Sequence, residues 1–311
     1  MTSLLDPDFL RRLARLRIAV RRRFAGTASG ARRSRNKGSS AEFAEHRAYY
    51  PGDDVRRIDW NAYARLEELV LRLFVAEDDL SLYLLIDGSA SMALGSPRKL
   101  DVAKRLAAGL GYVGLSGSER VAVMPFASRL TQPFPPARGA RRIGALLRHL
   151  EALEPSGATD LGTAVDQFLA RSPKPGLVVV ISDFLDPKGF TRPLDRLIGE
   201  RHEPALFQVL DREELDPTPG GDLELVDSET GAKVAVSLDA RAVRAYRARL
   251  DAFVGELRAY ARKRGIHHAL VGGDLSGGDR AFEDVLIEYL SRGSPGRSPR
   301  ASSPSNDGAA G

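Results

Sequence analysis

The sequence predicts an α/β fold, a doubly wound, mostly parallel sheet with an inserted β-hairpin. Short apolar runs such as 80–86, 121–126 and 177–182 alternate with segments of helical periodicity, the pattern of parallel strands joined by helices that cover both faces of a sheet. The composition, 43% hydrophobic and 28% charged over 311 residues, suits a chain that buries a sizeable core, and argues against a wholly disordered, collagen-like or membrane-embedded one. Within 222–237, two alternating runs flank Ser228-Glu229-Thr230-Gly231, a turn signal for a hairpin beside the main sheet.

The elements follow in order. Phe9, Leu13, Leu16, Val20 and Phe24 recur at helical spacing among seven arginines between Arg11 and Arg23, a basic amphipathic helix whose stripe suits packing on its own domain or docking on an acidic partner or membrane. Residues 25–40 are rich in Gly, Ser, Ala and Arg and read as a flexible linker, so 1–40 form one appendage. Residues 41–79 include an alternating strand at 69–75. An α/β domain spans 80–291, with strands at 80–86, 121–126, 177–182, 205–210 and 266–271 and the hairpin at about 221–238. Helices are expected at 98–115, 141–153, 161–170, 193–200, 239–264 and 281–289. In the long one, Val243, Tyr246, Leu250, Phe253, Leu257 and Tyr260 mark the buried face. The Ser-, Pro-, Gly- and Arg-rich stretch 292–311 reads as a disordered tail.

The net charge of +5 lies in the appendages. Residues 1–40 carry 11 Lys or Arg against Asp6 and Asp8, and 292–311 three Arg against Asp307, leaving −6 for 41–291. The folded body therefore has no excess of positive charge with which to follow a phosphate backbone, and no nucleic-acid partner is expected. Membrane contact is left to the basic N-terminal helix. Cysteine is absent, which removes disulfides, thiolate nucleophiles and iron–sulfur clusters. Without an apolar run of about 18 residues or the core of a signal peptide, the expected location is the cytoplasm.

In doubly wound sheets ligands bind beyond the carboxyl ends of the strands. There the sequence places Asp87-Gly88-Ser89-Ala90-Ser91 after one apolar run and Asp183 after another, with Pro155-Ser156-Gly157-Ala158-Thr159-Asp160 delivering a hydroxyl before a helix. Two carboxylates and three hydroxyls make an all-oxygen set suited to a hard cation such as Mg²⁺ or Mn²⁺. Ser89 and Ser91, two apart in a tight turn, can converge on one ion while Asp87 supports it through water.

Asp87-x-Ser89-x-Ser91, Thr159 and Asp183 together resemble the metal-ion-dependent adhesion site of von Willebrand factor type A domains. The resemblance implies a Rossmann-like fold, hydroxyl ligands on a divalent ion with aspartates in direct or water-mediated support, and an open position that accepts a carboxylate from a partner protein. Two positions depart from the pattern: Ser156-Gly157 stands for the usual glycine pair, and Phe184 follows the late aspartate where many relatives carry Gly. A second string, Glu42-Phe43-x-x-x-Arg47-x-Tyr49-x-x-Gly52-Asp53-Asp54-x-Arg56-x-Ile58-Asp59-Trp60 followed by Ala64-Arg65, resembles the hallmark of the bacterial family called domain of unknown function 58. Members are commonly associated with MoxR-type AAA+ ATPases in what look like chaperone or cofactor-insertion systems, which implies such an ATPase and a client protein as partners. Read on their own, Pro51-Gly52-Asp53-Asp54 is a turn, Trp60 a packing anchor, and Arg47, Arg56 and Asp59 ion-pair partners.

Other signals lead elsewhere. Gly109-Leu110-Gly111-Tyr112-Val113-Gly114 has the letters of a dinucleotide loop but continues a helical segment, and reads as close helix packing. The five histidines form no His-Glu-x-x-His pair, Ser89 sits in no Gly-x-Ser-x-Gly elbow, and the chain has no Gly-x-x-x-x-Gly-Lys-Ser/Thr loop, so neither a zinc hydrolase, a serine-triad hydrolase nor an ATPase is expected. The leading expectation is a non-enzymatic, metal-dependent interaction module. A metal-dependent phosphatase is the enzymatic rival, weakened because Ser89 stands where its second acid belongs. Attachment through the basic ends alone is the third reading.

Overall fold

The apolar runs become strands because β-branched and leucine side chains suit a pleated surface buried on both faces. The computed structural model describes Arg11 and residues 41–272, apart from 51, 52, 54, 56, 57, 77–80, 172, 173, 219 and 230; for 41–47 and 72–76 it describes the backbone alone. The expected N-terminal helix, linker, 281–289 helix and tail lie outside the described residues, as do Gly52, Asp54 and Arg56. Two compact units divide the chain, one within 25–79 and one formed by the rest.

In the smaller unit, β1 (Ala41–Ala48) pairs antiparallel with β2 (Val70–Ala76), the register shifting between Phe43 and Glu45. Helix α1 (Trp60–Leu66) lies between them in sequence. Asp59 caps this helix: its Oδ1 accepts from the Asn61 and Ala62 N–H groups, satisfying donors that the first turn leaves open. Trp60 is not the expected packing anchor. It is 60% exposed and meets Tyr63 edge-on at 6.1 Å, because the Asp59 cap starts the helix and leaves residue 60 on its outer side.

The larger unit is built on β3 (Ser81–Asp87), β4 (Arg120–Phe126), β5 (Phe134–Ala137), β6 (Leu177–Ser182), β7 (Glu203–Leu210) and β10 (His267–Gly272), in the order β10-β7-β6-β3-β4-β5. All neighbours are parallel except β5, an antiparallel edge. Chain order reverses at β3, with β4 on one side and β6 on the other, so its carboxyl end is a topological switch point.

Alternation along β3 sorts the core into two layers. Leu82, Leu84 and Ile86 join residues of α2 (Lys99–Ser116) and α3 (Ile143–Glu151). Tyr83 and Leu85 join α4 (Leu161–Arg171), α5 (Thr191–Gly199) and α7 (Ala240–Arg264). The glycines of α2 act as expected: a Cβ on Gly111 would stand 2.4 Å from Leu146 Cδ2, and one on Gly114 2.7 Å from Val121 Cγ2. On α7, Val243, Leu250, Leu257 and Tyr260 are buried as expected, whereas Tyr246 is exposed and Val254 and Ala261 are buried instead. The buried stripe drifts around a helix of 25 residues because 3.6 residues per turn does not keep step with a strict three–four spacing.

A short helix α6 (Arg212–Leu215) follows β7. The inserted hairpin is present as β8 (Gly221–Val226) and β9 (Lys233–Leu238), a separate two-stranded sheet. Leu223, Leu225 and Val234 share one face by register and remain exposed.

Candidate metal centre

The site begins with register. Parallel β3 and β6 are neighbours, pairing Ile86 with Ile181, so the chain leaves both strands at one level of the sheet. This brings Asp87 and Asp183 together at the switch point, both fully buried. The loop after β3 is tied to the loop before α4 by two backbone bonds, Ala90 N–H to Gly157 O and Ser156 N–H to Gly88 O, each 2.8 Å. A third, Asp160 N–H to Ala127 O at 3.0 Å, anchors the far side. Together they carry Thr159 to the carboxyl edge of the sheet. Gly157 takes φ +75° with open space where a Cβ would be, so the turn needs its glycine for backbone conformation alone.

All five residues singled out from the sequence meet. The Thr159 hydroxyl donates to Asp87 Oδ2 at 3.3 Å, and Asp87 Oδ1 accepts from the Ser89 N–H at 2.9 Å. Ser89 Oγ lies 3.0 Å from Ser91 Oγ, and Ser91 Oγ donates to Asp183 Oδ2 at 3.0 Å. The five form one continuous hydrogen-bonded chain.

The donor set suits a small hard cation. At an ion–oxygen distance of about 2.1 Å, adjacent corners of an octahedron lie about 3.0 Å apart; Ca²⁺, at about 2.4 Å, would want about 3.4 Å. The Ser89–Ser91 separation matches the smaller ion, and is equally that of a hydrogen bond. Among the described residues no group of three or more His, Cys, Asp or Glu side chains is arranged to hold a metal, so a cation here would depend on hydroxyls.

Electrostatics sharpen this reading. Burial, then the neighbouring Asp183 charge, push Asp87 up to about 6, while bonds from Ser182 and Ser89 pull it back. The adjacent Asp183 charge raises the cost of ionising Asp87, and a cation relieves it.

Four participants went unread in the sequence. Ser182 donates to Asp87 Oδ2 at 2.6 Å, and its Oγ accepts from the Phe184 N–H at 2.9 Å; its position one residue before Asp183 was the available signal. Lys99, the first residue of α2, donates from Nζ to Asp183 Oδ2 at 2.9 Å and to Glu214 Oε1 at 2.6 Å. Glu214 lies on α6, and its other oxygen accepts from the Asp211 N–H at 2.7 Å. Glu229, in the hairpin turn, accepts at Oε2 from the Thr159 N–H at 3.1 Å. Nothing local in the sequence marks Lys99, Glu214 or Glu229, because tertiary packing alone brings them to the rim.

Phe184, where many relatives of the resembled domains carry Gly, adopts φ +62° and is buried. A left-handed turn after Asp183 is thus kept without glycine, at a steric cost. Asp183 Oδ1 accepts from the Leu185 N–H at 3.0 Å across this turn.

Comparison with known proteins identifies one family from the sequence. The sequence profile described as "Protein of unknown function DUF58" matches residues 45–254. An uncharacterised protein of Mycobacterium tuberculosis, Rv1480, is 32% identical over 255 residues, covering 78% of this chain and 80% of its own length. Its Mycobacterium bovis counterpart Mb1516 matches equally. Among solved structures, the hypothetical protein BatB of Bacteroides thetaiotaomicron aligns over 68% of this chain and 97% of its own, with 16% identity and a TM-score of 0.42. The vWF domain of the pilus tip protein Mfa5 from Porphyromonas gingivalis aligns over 68% and 86%, with 15% identity and a TM-score of 0.29.

Proposed function

Because the chain belongs to the family described as protein of unknown function DUF58, we propose a function read from the rim itself: a non-enzymatic interaction module that binds a partner protein through a divalent cation. Ser89, Ser91 and Thr159 would hold Mg²⁺ or Mn²⁺, with Asp87 and Asp183 supporting it by accepting hydrogen bonds and through water. The observation that carries this is the unbroken hydrogen-bonded chain Thr159–Asp87–Ser89–Ser91–Asp183 at the sheet's switch point. Hydroxyl ligands donate little charge, so the ion stays electrophilic toward an outside carboxylate. The partner's contribution is therefore an acidic side chain.

The family resemblance supports a MoxR-type AAA+ ATPase as the working partner, with a client protein offering the carboxylate and the ATPase remodelling it. ATP hydrolysis would reside in that partner, as this chain has no phosphate-binding loop of the Gly-x-x-x-x-Gly-Lys-Ser/Thr type. No helix among the described residues is long and apolar enough to cross a membrane.

Mn²⁺ titration followed by calorimetry tests the ion, and co-purification with the ATPase and its clients, with and without EDTA, tests the partner. Wild type should bind Mn²⁺, Ser89→Ala and Ser91→Ala should not, and EDTA should release the partner. Equal Mn²⁺ binding by wild type and both variants overturns the site.

A further inference from the structure

We propose that Lys99 is a built-in counter-cation of this rim: it holds the acidic groups together when no divalent ion is bound and thereby keeps that ion exchangeable. The proposal rests on the metal reading above and adds a residue that sets its affinity.

Lys99 is only 1% exposed, as is Asp183, while Glu214 is 18% exposed. A buried ammonium is tolerated only when paired and hydrogen-bonded, and here two carboxylates clamp it from different elements, Asp183 after β6 and Glu214 on α6. Glu214 is itself fixed by the Asp211 N–H, within a reciprocal cap whose other half joins Asp211 to the following helix. Lys99 is thus held at three places: its own helix start, the β6 exit and α6.

Asp183 Oδ2 also accepts from Ser91 Oγ, so the ammonium and a candidate ligand hydroxyl share one oxygen atom. A divalent ion bound at Ser91 would sit one oxygen away from a fixed positive charge. Asp87, Asp183 and Glu214 against Lys99 give the buried group two net negative charges, which a divalent ion just balances. Without the ammonium there would be three, a stronger trap for the ion and a costlier group to bury without it. With Lys99 in place the group can fold first and exchange its ion afterwards.

This predicts opposite effects from two neighbouring substitutions. Lys99→Met should tighten Mn²⁺ binding by about tenfold or more, because a like charge close to the ion is removed. It should also make thermal stability depend on added Mn²⁺. Glu214→Gln removes a negative charge and should weaken binding, and it should lower stability in EDTA because the buried ammonium keeps only one of its two carboxylate partners. A purely structural role for the cluster would weaken binding in both variants or leave both unchanged.

The experiment is calorimetric Mn²⁺ titration of the full chain in wild type, Lys99→Met, Glu214→Gln and the double variant, with melting curves in EDTA and in Mn²⁺. Tighter binding in Lys99→Met and weaker binding in Glu214→Gln, with the double variant between them, supports the proposal; so does Lys99→Met folding only when Mn²⁺ is added. If Lys99→Met fails to fold in either condition, Glu214→Gln decides, and affinity equal to wild type overturns the role given to Lys99. Wild-type binding with both variants unchanged or both weakened also overturns it while leaving the metal site standing. No Mn²⁺ binding by any of the four proteins overturns the metal reading and the proposal together.

Discussion

Replacing Phe184 by Gly and, separately, by Ala sets two opposing effects against each other at the residue that follows Asp183. The ring is 1% exposed, so truncating it costs about 3–5 kcal/mol in lost burial and cavity formation. The backbone stands at φ +62°, where a side chain with a Cβ costs about 1–2 kcal/mol that Gly escapes. Gly should therefore lose about 2–4 kcal/mol, a fall in Tm of about 5–15 °C for a domain of this size. Ala keeps the strain and loses the ring. Even after the greater freedom of Gly in the unfolded chain is charged against it, about 0.4–1 kcal/mol, the Gly variant should be more stable than Ala by about 0.5–1 kcal/mol. Urea unfolding of the three proteins in EDTA reads the difference directly. An Ala variant as stable as the Gly variant would refute the claim that this turn is strained.

Three further outcomes follow from the fold. Burial, and less so Arg258, holds His268 down at about 4; since the unfolded ring takes its proton near 6.5, stability present above about 6.5 should fade as pH drops toward 4, and His268→Gln should flatten that slope in urea midpoints. Gly114→Ala drives a Cβ to 2.7 Å from the stiff Val121 Cγ2, and chemical denaturation should show a loss of about 1–3 kcal/mol. Glu229→Ala removes the acceptor for the Thr159 N–H; amide exchange should rise in β8, β9 and at Thr159 while Tm is unchanged, and unaltered exchange would show that the tip is not tethered there.

Much of the larger unit was legible because its strands are buried on both faces. β3, β4, β6 and β7 each leave an apolar run that no surface element would carry, while the edge strand β10, with only Val271 buried, shows a shorter one. β5 escaped notice because Phe134-Pro135-Pro136-Ala137 has two residues without an N–H, tolerable only at the sheet edge where it lies. α5 begins at Thr191, before the expected Pro193, since proline fits the first turn, whose amides need no partner within the helix. The segment expected as a helix from 141 opens as a 3₁₀ turn over Ala140–Arg142 and becomes α-helical at Ile143. The five rim residues were readable because acids and hydroxyls at strand exits have few structural uses in common. Lys99 was not, as one cation among many at helix starts says nothing until the fold puts two carboxylates against it.

The hairpin carries a topological consequence. Its strands pair only with each other, and its turn touches the rim through the Glu229 carboxylate. A protease nick between Val226 and Lys233 would leave β3 to β7 and the five rim residues on one fragment and put α7 and β10 on the other, held to the sheet by packing and by the β7–β10 ladder alone. Because Gly221 and Leu238 face each other at the base of the ribbon, excising 222–237 and rejoining the flanks would subtract its contribution at the rim while leaving every ladder of the main sheet in place.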